Sequence, residues 1–139
     1  MSAVLFDTNV ILDVLLERQP FYEASALALN TAVGGAVEGY IAAHAVTTVA
    51  YLLQRRLGAT RTRIALVNLL SHLRVAPLTD AVVREALGSS LFDFEDGVTH
   101  ACARQVGAVA IITRDIHDFD QTLVPAVLPE AYCTGLDQN

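Results

Sequence analysis

An α/β domain with a mostly parallel central sheet is the fold class this chain predicts. Three observations carry it: short apolar runs alternate with stretches of helical period, turn or acidic residues end each run abruptly, and one run, Val109 to Ile112, is apolar throughout. With 139 residues, 53% apolar and 17% charged, one core and hence one domain over 1–139 is expected. A chain of this length buries roughly 68% of the surface it exposes when unfolded, so it folds without disulfides or a structural metal.

The elements follow in order. Val4-Leu5-Phe6 reads as the first strand; it stops at the polar turn Asp7-Thr8-Asn9, and Val10 to Leu16 returns apolar residues at helical spacing. Pro20 opens a second helix that Gly34-Gly35 ends, with Phe21, Ala24, Leu27, Ala28 and Ala32 expected on its inner face. Tyr40-Ile41-Ala42 is the second strand. Val46 to Leu57 and Thr60 to Leu73 read as two helices hinged at Gly58. Arg74-Val75-Ala76 is a weak strand before Pro77, and Asp80 to Leu87 is a short amphipathic helix. Asp93 stands as the N-cap of a helix with Glu95 and Asp96 in its first turn, running to Val106 and stopping at Gly107. Val109 to Ile112 has the composition of a central parallel strand, ended by Thr113-Arg114-Asp115. Ala126-Val127-Leu128 is the last strand, before Pro129 and a short tail. Neither an internal repeat nor a linker is visible.

Fifteen acids against nine bases give a net charge of −6, which argues against holding duplex DNA on a broad basic face. All nine bases are arginines, and Arg55, Arg56, Arg61 and Arg63 lie close together across the Gly58 hinge. Without a lysine the P-loop, Schiff-base and pyridoxal phosphate chemistries are excluded. Cys102, inside an apolar stretch, reads as a small core residue, and a reduced cytoplasmic setting is expected for it and Cys133. The apolar start, Met1 to Leu16, lacks a basic leader and is interrupted by Asp7 and Asp13, so neither signal peptide nor membrane span is expected.

In a parallel sheet ligands collect beyond the carboxyl ends of the strands. Asp7 follows the first strand, Asp115 follows the fourth, and Asp96 lies in the first turn of the helix before it, so these three are expected to converge, with Asp118 close behind. Packed carboxylates repel, and oxygen-only ligands suit Mg²⁺ or Mn²⁺, which positions and acidifies a water beside a phosphodiester. Each acid also has a plain structural role open to it. Asp96 in a first turn favours the helix dipole, Asp115 in a loop is simply solvated, and Asp7 can cap the next helix. Glu38 precedes the second strand, at the wrong end of the sheet.

Val4-Leu5-Phe6-Asp7-Thr8-Asn9-Val10-Ile11-Leu12-Asp13 resembles the opening of PIN domain proteins. Asp96-Gly97-Val98-Thr99-His100-Ala101-Cys102-Ala103, and Ile111-Ile112-Thr113-Arg114-Asp115 with Asp118-Phe119, resemble the two later family motifs. The resemblance implies a three-layer α/β/α sandwich and metal-dependent ribonuclease activity, often as the toxin of a VapC-type toxin–antitoxin pair with a cognate antitoxin, usually as a homodimer. It implies Asp7, Asp96 and Asp115 as the catalytic, metal-holding acids. The commonest family pattern also has a glutamate early in the helix after the second strand, whereas His44-Ala45-Val46-Thr47-Thr48-Val49-Ala50-Tyr51 holds no acid. A branch of the family is similar to this chain there, with a polar residue three before a tyrosine, as Thr48 and Tyr51 stand. Thr48 offers a metal only a neutral hydroxyl or a water, Asn9 stands as support, and Asp118 partly compensates.

An acidic chain must hold RNA through its few bases, which nominates Arg55, Arg56, Arg61, Arg63 and Arg114. His100, four after Asp96, reads as a metal or RNA contact or as a buried hydrogen-bonded histidine; His44 and His117 carry no assignment. Ser89-Ser90 lacks a recognisable base and acid. A phosphatase of the haloacid dehalogenase type is excluded by Asn9, where a second aspartate is needed, and by the missing lysine, which also excludes a receiver domain. The competing reading is a non-catalytic PIN-like binding module whose metal site has degenerated.

Overall fold

The computed structural model describes residues 1–90, 93–119 and 123–137. Five parallel strands form one sheet in the order β3-β2-β1-β4-β5: β1 Ala3–Phe6, β2 Glu38–Ala42, β3 Arg74–Ala76, β4 Ala108–Ile112 and β5 Ala126–Val127. The helices are α1 Thr8–Leu15, α2 Tyr22–Val33, α3 Ala43–Leu70, α4 Asp80–Leu87, α5 Phe94–Gln105 and α6 Pro129–Asp137, with a 3-10 turn at Ile116–Asp118.

Parallel crossovers are right-handed, so the direction of strand order decides which face each helix covers. From β1 the chain steps outward to β2 and β3, which puts α1, α2 and α3 on one face. It then returns past β1 to β4, which puts α4 and α5 on the other, and α6 comes back to pack on α2. The result is the expected three-layer α/β/α sandwich. Val4, Leu5, Phe6, Ile41, Ile111 and Ile112 fill its middle layer, all essentially solvent-free. Among the described residues no helix is long and apolar enough to cross a membrane.

Several boundaries differ from the sequence reading. α1 begins at Thr8, because Asp7 takes the N-cap position, so Thr8 and Asn9 are helical. α2 buries Ser25, Ala28, Leu29 and Ala32, while Leu27 is 61% exposed and Phe21 lies at the surface. The inner face is turned because Ser25 must reach the buried carboxylate of Asp13, with its Oγ donating to Oδ2 at 3.0 Å. α3 starts at Ala43, directly after β2, and ends at Leu70. It kinks at Gly58, whose φ of 78° is one that only glycine adopts freely. β4 lies between β1 and β5, so β1 is the central strand, and Val109, the residue passed over by the register shift between β1 and β4, is 55% exposed. Leu128 falls outside β5, and the expected tail is a helix: Pro129 suits the first helical position, and the hydroxyls of Tyr132 and Thr31 meet at 2.9 Å. Cys102 is buried as expected, its thiol donating to the Pro77 carbonyl at 3.7 Å, and burial pushes it up to about 11.

The packing of α2 on the sheet leaves no room at Gly39. A Cβ there would stand 2.6 Å from Ala32 Cβ and 2.7 Å from Leu73 Cδ2, and Ala32 sits on a helix that cannot yield alone. Gly39→Ala is expected to destabilise the fold by about 1 to 3 kcal/mol, read from urea unfolding. An unchanged midpoint would show that α2 is free to shift.

Candidate active site

The reversal of strand order between β1 and β4 makes a switch point, and the acids gather at its carboxyl end. Backbone pairing fixes the first of them: Asp7 N donates to Ile112 O at 2.9 Å, so the end of β1 is tied to the end of β4. Asp7 Oδ1 accepts from Thr8 N at 2.8 Å and Oδ2 accepts from Thr113 Oγ1 at 2.8 Å. The residue therefore caps α1 and faces the cleft at the same time. Asn9 ties the same region together, its Nδ2 donating to Asp115 Oδ2 at 3.0 Å and its Oδ1 accepting from Arg114 N at 3.2 Å.

An open cleft of about 290 Å³ is lined by Asp7, Asn9, Glu95, Asp96 and Asp115, with Arg18 and Arg114 on its edge. Four carboxylates from three widely separated parts of the sequence thus share one hollow. Asp93 caps α5, Oδ1 accepting from Asp96 N at 3.0 Å, and so sets where Asp96 stands. Loss of water pushes the Asp96 carboxyl up to about 7, with the charges of Asp93, Asp118, Asp7 and Glu95 adding to the effect. Burial also raises Asp7, helped by Asp115 and Glu95 and opposed by its two hydrogen bonds. These are groups whose charged forms lack a counter-ion.

Glu95 was not singled out from the sequence. Its place in the first turn of α5 looks like dipole stabilisation, yet the fold aims it at the same cleft, where it acts on Asp7 and Asp96. Arg18 was missed too. The available signal was Asp13, an acid inside the apolar stripe of α1 that has to find a cation.

Other nominated residues are placed differently. Thr48 Oγ1 contacts its own helix, donating to His44 O at 3.4 Å, and is not among the cleft-lining residues. Asp118 lies in the 3-10 turn, exposed, close enough to act on Asp96 but outside the lining. His100 is buried at 4% exposure and lines a separate hollow beside Glu85 and Ser90. His44, at the start of α3, shares a hydrogen bond with Thr99 Oγ1 at 3.2 Å; burial lowers its pKa, against the pull of Glu95 and Asp7. Arg55 and Arg56 line a neighbouring depression that Arg18 also borders, while Arg61 and Arg63 are exposed beyond the Gly58 kink.

Among the described residues no three acids, histidines or cysteines are grouped closely enough to close around one ion as they stand. Mg²⁺ does not require that, since it keeps several waters and binds through one or two carboxylates. An all-oxygen set with unneutralised charge fits such a hydrated ion.

Solved structures that share the fold include two VapC-type proteins. VapBC2 from Rickettsia felis, crystallised with a DNA fragment from its promoter, superposes with TM-score 0.63 at 12% identity, covering 91% of this chain and 98% of that one. VapC20 from Mycobacterium tuberculosis, described as a sarcin–ricin loop cleaving toxin, gives 0.61 at 16% identity, covering 86% and 92%. Among curated proteins none matches the chain. The motifs after β1 and in α5, and Ile111 to Asp115 of the last, fall within residues 3–117, the stretch matched by the PIN domain family model, and the chain belongs to that family.

Proposed function

We propose that the protein is a divalent-cation-dependent ribonuclease, the toxin of a toxin–antitoxin pair. One observation carries the reading: Asp7, Asp96 and Asp115 arrive from three parts of the chain at one cleft on the switch point, with Asp96 raised to about 7 by burial and by the neighbouring acids. The two structural neighbours, VapBC2 bound to promoter DNA and a toxin described as cleaving the sarcin–ricin loop, support it by analogy of fold.

Asp7, Asp96 and Asp115 would hold Mg²⁺ or Mn²⁺, with Asn9 orienting Asp115 and with Asp118 lending charge from behind. When bound, such a cation supplies an acidified water and neutralises charge on the leaving oxygen. Thr8 and Thr113 fix both oxygens of Asp7, so its orientation is set before substrate arrives. Asp96 must give up its proton for the cation to bind, which makes affinity rise with pH. The sequence holds no lysine to act as a nucleophile, and water activated at the acid cleft is the route this reading uses.

Labelled single-stranded RNA is expected to be cut in Mg²⁺ or Mn²⁺ and left intact in chelator. Cleavage in chelator would overturn the reading, and calorimetry with no heat of Mn²⁺ binding would favour the non-catalytic binding module. The antitoxin and the homodimer belong to the same proposal. Growth arrest on expression, relieved by the product of the neighbouring gene, checks the first, and light scattering of the purified chain checks the second.

A further inference from the structure

The side chain of Asp13 is fully buried in α1, yet it is an acid. Its two oxygens accept four hydrogen bonds. Oδ1 takes Arg18 Nε and Arg114 Nη2, both at 3.1 Å; Oδ2 takes Arg114 Nε at 2.8 Å and Ser25 Oγ at 3.0 Å. Arg18 also donates from Nη2 to Asn9 O at 3.1 Å, and the Arg114 guanidinium lies over the Phe21 ring, 3.8 Å from its centre. Both arginines are thus fixed by two hydrogen bonds each, while remaining 38% and 26% exposed at the acid cleft.

Stability alone does not explain this arrangement. A buried ion pair is generally no better than apolar residues of the same size, and α1 is otherwise apolar on its inner face. Two cations share one anion, so the group presents excess positive charge beside Asp7, Glu95, Asp96 and Asp115, where a phosphodiester chain would otherwise be repelled. Each guanidinium spends two of its five N–H groups on the contacts above and keeps three to offer. Arg18 also borders the depression lined by Arg55 and Arg56, which continues the positive track away from the acids.

We propose that Arg18 and Arg114 form a clamp for a phosphate of the RNA strand, and that Asp13 is the positioning residue that holds it. The inference rests on the ribonuclease reading and adds to it the residues that grip the substrate. Two preset forks suit non-bridging phosphate oxygens better than mobile ammonium groups do.

Anisotropy of a labelled 20-nucleotide single-stranded RNA, titrated in chelator so that no cleavage occurs, tests it. Arg18→Ala is expected to weaken binding about ten-fold and to flatten the dependence of log K on log salt by about 0.7, the loss of one phosphate contact on a single strand. Arg18→Lys should not restore affinity, because the fork is lost while the charge stays. Arg84→Ala, at an exposed arginine paired with Asp80, should bind as wild type does and serves as control. Asp13→Asn gives opposite signs for the two explanations: removing an acid beside a phosphate site tightens binding if charge alone matters, and loosens it if Asp13 positions the clamp. In metal, Asp13→Asn should raise KM with kcat little changed. Should Asp13→Asn fail to fold, the Arg18 variants decide alone, since Asp13 then keeps Arg114 and Ser25. Wild-type affinity and salt slope in Arg18→Ala would overturn the clamp and leave the nuclease intact if wild type still cuts RNA in Mn²⁺. A wild-type protein that neither binds nor cuts RNA overturns both.

Discussion

Asp96→Asn is expected to abolish RNA cleavage, by at least about a hundred-fold, and at the same time to make the metal-free protein more stable. The two effects share a cause. In the metal-free fold the Asp96 carboxyl sits at about 7 instead of its ordinary 3.8, so the folded chain binds a proton there that the unfolded chain has already released. Between those values the unfolded state carries fewer protons, and stability falls as pH rises. This group's penalty is absent below about pH 4, grows through the window and is complete above about pH 7. Solvent reaches the cleft and screens it, leaving roughly 1 to 2 kcal/mol at pH 8.

Asparagine keeps the shape and removes the charge. The variant should therefore melt above wild type at pH 8 in chelator and match it near pH 4. In Mn²⁺ the order should reverse, because only wild type gains binding energy from the ion. A first-turn acid that merely favours the helix dipole predicts the opposite sign in chelator, a loss of a few tenths of a kcal/mol with catalysis intact. Melting curves at the two pH values, with and without Mn²⁺, separate the two cases.

The largest loss of stability is expected from Asp13→Ala. Removing the one acceptor shared by Arg18, Arg114 and Ser25 leaves a buried void and two guanidinium groups facing each other. Breaking a buried pair from one side costs about 3 to 5 kcal/mol, and the arginines here can partly turn to water, so a loss of about 3 kcal/mol is expected, roughly 10 °C in Tm. Pairing Asp13→Leu with Arg114→Met should recover much of that stability by refilling the space with apolar atoms. It should not recover RNA affinity, which needs the guanidinium. A drop under about 1 kcal/mol for Asp13→Ala would mean that the arginines find other partners.

Of the candidate site, the strand-end acids were legible because position after a strand is a property of sequence order. Asp7 follows β1 directly, Asp115 stands three residues after the end of β4, and the cap at Asp93 places Asp96 in the first turn of its helix. Arg18 and Glu95 were not legible. Arg18 sits in the short link between α1 and α2 and Glu95 in a first turn full of acids, so local pattern gives neither a direction. Thr48 was nominated from the resemblance to a branch of the family, but a threonine hydroxyl within a helix readily bonds back to the carbonyl four residues before it, as here to His44.

By itself the sequence determined the alternation of strands and helices, the kink at Gly58 and the acids at the strand ends, since these follow from period, glycine conformation and chain order. Tertiary structure alone decided which strand is central, that residues after Pro129 fold back as a helix on α2, which face of α2 is buried, and that Asp13 binds two arginines at the lip of the cleft. The physical reason is the same in each case. Local propensity acts over a few residues, whereas a buried carboxylate or an uncovered face is satisfied by whatever group the packed layers bring near, here as far along the chain as Arg114 is from Asp13.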